Sequence, residues 1–339
     1  MINQRYRLID TQNIRIDFID EDISKNDLLV RPLYMSICAA DQRYYQGLRP
    51  KEIMEKKLPL TLIHEAVGEI IYDPKHQLSI GTRVVMVPNV VNEKNNEIKD
   101  NYLRSSKFMS SSQDGFMQGV VVIDRNNIVE IGNLDLRIAS LLELTSVAIN
   151  AIDIFKQDKH TTAKTIGLWG GGSVGFITAL ALKFTLPDSK LIVFGKNENK
   201  LNYFTFADEV YTVDNYPKNL KINHGFECVG GLHSSDAINQ IIDVIEPQGT
   251  ISLLGVSEHP IPINTRMVLE KGLMLIGHSR SNKKDFTQAV QLLHDNPDMV
   301  EYLNYIISDE IVIKSVADIH NAFSIDLDNE FKTVMKWEI

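Results

Sequence analysis

The sequence predicts a two-domain α/β protein: a β-rich part followed by a doubly wound parallel sheet. Three observations carry this. The chain has 339 residues, too many for one ordinary core. Up to about residue 145 it shows short β-type runs separated by turns, and from about residue 165 strands alternate with amphipathic helical stretches.

In the first part the runs are LLVRPLYMSI, HEAVGEIIY, TRVVMVP and GVVVID. In the second, TIGLWG, KLIVFG, EVYTVD, GFECVG, TISLLGV and LMLIGHS read as six strands, the count of a complete dinucleotide fold. After Arg280 come a helix, KDFTQAVQLLHDN, and a mixed tail ending in FKTVMKWEI, whose return to the first domain would make that domain discontinuous. The expected domains are therefore 1–145 with 281–339, and 146–280. The polar segment 92–115 reads as a solvated loop or lobe.

Composition narrows the function. With 44% hydrophobic and 23% charged residues the chain is of globular type. A formal net charge of −9 argues against nucleic-acid or anionic-membrane partners, which need a basic face, so an acidic ligand must meet a local cationic pocket. Two cysteines, Cys38 and Cys228, exclude a disulfide framework and suit a reducing compartment. The start, MINQRYRLID, has neither the apolar core nor the cleavage site of a signal peptide. The longest apolar tract, GLWGGGSVGFITALALKF, carries five glycines and Lys183 and reads as strand, turn and helix rather than a membrane span. A cytoplasmic protein is expected.

Gly170, Gly172 and Gly175 form G-x-G-x-x-G after a strand and at the mouth of a helix that Ser173 and Val174 begin. The first glycine permits a tight turn, the second close approach of a pyrophosphate, the third close helix–strand packing, and the helix N-terminus offers free N–H groups to the anion. Such a turn predicts a Rossmann dinucleotide site. At the end of the second strand, where an NAD-type site carries an acid for the ribose hydroxyls, this chain has Gly195, Lys196 and Asn197, with Lys200 a turn later. A carboxylate there would repel a 2′-phosphate by about 4 kcal/mol at ~4 Å and an effective dielectric of ~20, on the order of a thousandfold in affinity. Its absence beside a lysine points to NADP(H). The alternative is that Lys196 is a solvated loop residue and Glu198 supplies the acid.

Cys38 in YMSICAADQRYY lies 26 residues before the pair His64-Glu65 in LIHEAVGE, and Glu143 sits in LLELTSVAIN. Cys, His and carboxylate are the ligand types of a catalytic zinc. Singly, each has another reading: a buried thiol acting as a small hydrophobe, a hydrogen-bonded core imidazole, an acid heading a helix. Cys228 in FECVGG reads as a buried strand residue and not a nucleophile.

Together, ICAAD, HEAVGE, LELTSVAINA and GLWGGGSVG, in that order, resemble the zinc-dependent medium-chain dehydrogenase/reductases of the sorbitol and alcohol dehydrogenase type, over nearly the whole chain. The resemblance implies a GroES-like β-rich catalytic domain before the Rossmann domain. It assigns Cys38 and His64 as ligands of one catalytic zinc per chain, with Glu65 and Glu143 as direct or water-bridged ligands. A divalent cation would then compensate two titratable groups in an otherwise apolar segment. Ile63 stands where the family has glycine before His-Glu, and Ala40 where it often has a hydroxyl that relays the substrate proton. Protonation then falls to a water at the metal, to Glu65, or to a nearby hydroxyl such as Tyr44. The cysteine quartet of the family's structural zinc is missing, since residues 92–115 contain no Cys.

Within the family, CAADQRYYQG, WGGGSVGF and the Gly-Lys after the second strand resemble the ribulose-5-phosphate reductases of teichoic acid synthesis. That resemblance implies NADPH-dependent reduction of the C2 ketone of a phosphosugar, D-ribulose 5-phosphate, for CDP-ribitol supply. Arg43 and Arg280 are the candidate phosphate ligands, because guanidinium contacts phosphate oxygens in pairs. The alternatives are a polyol, threonine or simple alcohol dehydrogenase on the same scaffold, or a non-catalytic NADPH-binding protein. A homodimer paired through the edge strand TISLLGVS is expected by analogy, with a tetramer or association with a cytidylyltransferase of the same route as further options.

Overall fold

The computed structural model describes residues 1–91, 93, 95–157 and 164–339. In chain order it runs β1 (Ile2–Asp10), β2 (Asn13–Asp20), β3 (Asp27–Ser36), α1 (Ala39–Tyr45), α2 (Lys51–Lys57), β4 (Leu60–Thr61), β5 (Glu65–Tyr72), β6 (Arg83–Met86), β7 (Asn89–Val90), β8 (Lys107–Phe108), β9 (Val121–Asp124), β10 (Ile128–Glu130), α3 (Leu136–Ala139) and α4 (Leu142–Lys156). There follow β11 (Thr165–Trp169), α5 (Ser173–Thr185), β12 (Lys190–Gly195), α6 (Glu198–Leu201), β13 (Glu209–Thr212), β14 (Ile222–Glu227), α7 (Ser234–Val244), β15 (Ile245–Leu253), α8 (Thr265–Lys271) and β16 (Met274–Gly277). The chain ends with α9 (Lys283–Asp295), α10 (Pro297–Tyr305), β17 (Ile307–Ile313), α11 (Val316–Asp328) and β18 (Lys332–Trp337). Two compact units result: residues 1–146 with 281–295 and 306–339, and residues 147–280 with 296–305.

In the first unit the described residues build a sheet in the order β10-β6-β5-β3-β18-β17, with β9 also on β3, and a smaller sheet β2-β1-β4. The hairpin β1–β2 is absent from the sequence reading because charged residues interrupt it. Along β1, Tyr6 and Leu8 turn inward on the period of two, while Arg5 and Arg7 on the other face are both held by Asp114. The tail forms β18, antiparallel to β3.

The polar lobe differs from its reading in part. Residues 92 and 94 lie outside the described residues, and 95–100 are exposed, but from Asn101 onward buried positions recur. The N–H groups of Gly115 and Phe116 each donate at 2.7 Å to the carbonyls of Thr61 and Ile63, sealing this segment against the strand that leads to His64. A Cβ on Gly115 would meet the carbonyl oxygens of Leu62 and Ile63 at 2.4 Å, so only glycine allows that approach.

In the second unit the described residues form an all-parallel sheet in the order β13-β12-β11-β14-β15-β16, the doubly wound arrangement read from the sequence. Strand order reverses between β11 and β14. β12 is buried at every position after its first, as expected of a parallel strand covered on both faces. One expectation is corrected here. Thr250–Leu253 of TISLLGVS lie in β15, which pairs on both sides, with β14 and β16, so this side of the sheet ends at β16 and not at TISLLGVS. α10 also belongs to this unit, whereas the sequence reading assigned all of 281–339 to the first domain: Met299 and Leu303 are buried, and the Tyr302 ring stands 5.2 Å from that of Phe206.

Candidate active site

Three strand ends converge in the first unit. β5 runs antiparallel to β3 with Glu65 opposite Ser36, and β18 runs antiparallel to β3 with Val334 opposite Ser36. The loop from β3 to α1 therefore carries Cys38 up to the start of β5, where His64 and Glu65 sit, and to the start of β18, where Lys332 sits. Cys38 precedes α1 in extended conformation, and its carbonyl accepts from the N–H groups of Asp41 and Gln42 at 2.9 and 3.0 Å. This begins the helix and leaves the side chain outside it.

Donor atoms of Cys38, His64 and Glu65 all lie within 4.8 Å of one another. His64 and Glu65 are buried, and Cys38 is half-buried. Asp41 lies one turn into α1 and is fully buried; its Oδ2 stands 3.2 Å from Nδ1 of His64, an ion-pair distance without straight hydrogen-bond alignment. Its Oδ1 accepts from the Ile63 N–H at 3.0 Å and from the Ser110 hydroxyl. Lys332 Nζ donates to the Ile37 carbonyl at 2.6 Å and lies against both Glu65 oxygens.

The electrostatics follow. Burial lowers the His64 pKa, but the charges of Asp41 and Cys38 outweigh it and hold the imidazole well above its usual value. Burial likewise lowers Lys332, yet Glu65 and Cys38 raise it overall. Glu143 is buried and pushed up to about 7, by burial first and the Glu65 charge second, against the pull of His64. Cys38, Asp41, Glu65 and Glu143 are thus four potential anions facing two cations, His64 and Lys332. A divalent cation would restore the balance, and the Cys/His/carboxylate donor set suits zinc.

Of the sequence candidates, Cys38, His64 and Glu65 come together. Glu143 feels their charges without joining the close donor group. Tyr44 lies on α1 with its ring in the hydrophobic core, 4.9 Å from the Arg49 guanidinium. Arg43 is on α1 in the first unit; Arg280, with positive φ (59°), follows β16 in the second, and burial lowers its pKa. The reading did not single out Asp41, Ser110 or Lys332. A carboxylate three residues after a candidate ligand was the available signal for Asp41; nothing local marks the other two.

In the second unit the backbone at the three glycines has the tight turn and close packing that their spacing predicts. Gly170 has φ 138° and packs on the Cys228 backbone, so a Cβ there would meet its carbonyl at 2.8 Å. Gly172 faces open space, and a Cβ on Gly175 would fall 1.8 Å from the Gly170 carbonyl oxygen. Ser173 and Val174 start α5. Gly170, Gly172, Gly195 and Lys196 line a cavity of ≈ 680 Å³ that Asp214, Cys228 and His233 also reach. Asn197 caps α6 by accepting from the Lys200 N–H at 3.2 Å, which aims the Lys200 backbone into the helix. Glu198, the alternative acid, lines a separate depression. Cys228 is buried with its pKa raised by burial, which suits a packed strand-end thiol rather than a nucleophile.

A GroES-like unit, a doubly wound unit and a Cys-His-Glu cluster define a class, and comparison with known proteins agrees. The alcohol dehydrogenase GroES-like domain matches residues 24–133 and the zinc-binding dehydrogenase domain matches 182–295. The chain belongs to the zinc-dependent medium-chain dehydrogenase/reductase family. Within it, the chain is 45% identical over 100% of both sequences to a ribulose-5-phosphate reductase of Bacillus spizizenii, and 48% identical, again over 100% of both, to ribulose-5-phosphate reductase 2 of Staphylococcus aureus. The crystal structure of S. aureus TarJ in complex with NADPH superimposes with a TM-score of 0.89 at 43% identity, covering 100% of both chains. L-idonate 5-dehydrogenase of Escherichia coli, at 20% identity and a TM-score of 0.85 over 99% of this chain and 98% of its own, shares the fold.

Proposed function

We infer that this protein is a zinc-dependent oxidoreductase that reduces the C2 ketone of D-ribulose 5-phosphate to D-ribitol 5-phosphate with NADPH, supplying the CDP-ribitol branch of teichoic acid synthesis. The observation that carries the substrate is identity of 40–48% over 99–100% of this chain to four ribulose-5-phosphate reductases. The cofactors are zinc and NADP(H). When bound, zinc supplies a Lewis acid to the ketone oxygen and NADPH supplies the hydride.

The chain's own residues do the rest. Cys38 and His64 hold the metal, with Glu65 beside them and Glu143 reaching it through water. Asp41 orients His64. Lys332 neutralises Glu65 and keeps its carboxylate turned toward the β18 side. Glu143, Glu65 and the Tyr44 hydroxyl are the candidates for the proton-relay place that Ala40 leaves empty. Lys196 meets the 2′-phosphate, and Arg43 and Arg280 are each a candidate ligand of the substrate phosphate.

We place the protein in the cytoplasm, where its two free thiols would stay reduced and its sugar phosphate is made. Among the described residues no helix is long and apolar enough to cross a membrane. A homodimer pairing through β16 is the expected assembly, alone or with a cytidylyltransferase; light scattering of the purified chain measures its mass.

Turnover of ribulose 5-phosphate, ribulose and sorbitol, each with NADPH and NADH, tests the assignment. Ribulose 5-phosphate with NADPH should lead by orders of magnitude. Arg43→Ala or Arg280→Ala should raise KM for the phosphorylated sugar on the order of tenfold or more and leave ribulose nearly unchanged. Equal turnover of sorbitol would move the assignment to a polyol dehydrogenase.

A further inference from the structure

The segment Phe108–Ser110 belongs to the polar lobe that the sequence reading left to solvent, yet it reaches the metal-site histidine by two routes, directly through Phe108 and indirectly through Asp41. The Phe108 ring lies 5.3 Å from that of His64 at an interplanar angle of 58°. Ser110, only 3% exposed, turns its hydroxyl onto Oδ1 of Asp41. It does so from a left-handed backbone conformation, φ 60°, which a non-glycine residue adopts at a cost and which the Met109 N–H helps to hold by donating to the Pro88 carbonyl at 3.0 Å.

Asp41 is fully buried, and its two oxygens have different tasks. Oδ1 takes two donors, the Ile63 N–H from the strand side and the Ser110 hydroxyl from the lobe side. Held at both points, the carboxylate is unable to rotate, so Oδ2 stays aimed at Nδ1 of His64. The carboxylate charge 3.2 Å from Nδ1 favours the proton on that nitrogen, which leaves Nε2 as the lone-pair nitrogen for a metal.

We propose that Ser110 is a positioning residue of the metal centre: through Asp41 it sets the orientation and tautomer of His64, so the lobe segment 108–110 governs how tightly the site holds zinc. This rests on the reading of Cys38 and His64 as zinc ligands. Ser110 itself touches neither metal nor substrate.

Ser110→Gly is the informative change, because glycine accepts the left-handed backbone without strain and removes the hydroxyl together with its Cβ. Ser112→Ala is the control: the Ser112 hydroxyl accepts from the Phe108 N–H at 2.7 Å and shapes the same loop without reaching Asp41. The measurement is zinc withdrawal from the purified holoenzyme by a chromogenic chelator of known affinity, with NADPH binding and thermal midpoint followed in parallel. S110G should bind zinc more weakly by on the order of 10- to 100-fold while NADPH binding and the midpoint of the apoprotein hold; S112A should keep wild-type zinc affinity. In an Asp41→Asn background the S110G change should cost little further, since its route through the carboxylate is already gone. Zinc held by S110G as tightly as by wild type, equal loss in S112A, or full additivity with D41N would overturn the proposal. A wild-type chain that takes up no zinc would overturn the metal-site reading, and this inference with it.

Discussion

Lys332 places its ammonium 2.8 Å from one carboxylate oxygen of Glu65 and 2.9 Å from the other, both residues buried and 267 positions apart in the chain. Removing one member of such a pair strands the other charge away from water, which costs about 3–5 kcal/mol. Lys332→Met should lower apoprotein stability by that order. Zinc should recover part of the loss, because a divalent ion takes over the orphaned carboxylate, so the zinc-induced rise in Tm should exceed that of wild type. Differential scanning calorimetry with and without zinc measures both. A zinc-induced rise no larger than wild type's would mean that Glu65 lies beyond the metal's reach.

Cys38→Ser should lose zinc and turnover yet keep NADPH binding, because the thiolate is the soft donor of the set and the dinucleotide cavity is built from second-unit residues. Metal analysis and fluorescence titration with NADPH read the two halves separately. Full activity in the metal-free variant would defeat the mechanism.

Zinc binding should depend steeply on pH. In the metal-free chain His64 has a raised pKa, so its contribution to apoprotein stability is complete below about 6.5 and is lost as pH rises through the raised value. Zinc needs the neutral imidazole. Apoprotein Tm should therefore fall, and zinc affinity climb, as pH increases from about 6.5. Calorimetric titration of zinc in two buffers of different ionisation enthalpy should register proton release. Affinity that stays flat with pH would show that His64 carries no proton to displace.

Lys196 lines the dinucleotide cavity from the end of β12, and a charge-assisted contact to a 2′-phosphate is worth about 1.5–3 kcal/mol. Lys196→Ala should raise KM for NADPH by roughly tenfold or more and leave that for NADH unchanged. Parallel loss with both cofactors would assign Lys196 to general cofactor binding instead.

Ile63 carries φ 71° while its side chain is fully buried in the core, so backbone strain and apolar burial oppose each other at one residue. Burial outweighs strain: truncating a buried isoleucine costs about 2–5 kcal/mol against about 1–2 for the left-handed backbone. Both Ile63→Ala and Ile63→Gly should therefore be less stable than wild type. Their order should invert the usual one, with glycine about 1 kcal/mol better than alanine, because only glycine releases the strain. Chemical denaturation of the pair measures it, and alanine proving the more stable would show that the backbone at this position carries no strain.

The sheet of the second unit was legible because its strands are continuous apolar runs and its glycines follow a spacing that only one backbone geometry satisfies. The hairpin β1–β2 was not, since Arg5 and Arg7 look solvated until Asp114, more than a hundred residues on, is seen to hold them. The donor residues were legible by type, as a thiol, an imidazole and carboxylates set in apolar surroundings. Their partners were not. Local pattern carries information on period, turn and residue chemistry, so by itself the sequence determined the doubly wound sheet, the dinucleotide turn and the candidate ligands Cys38, His64 and Glu65. That Lys332 neutralises Glu65, that Ser110 pins Asp41 and that β16 forms the sheet edge were decided by tertiary structure alone, because each depends on which distant segments strand pairing brings side by side.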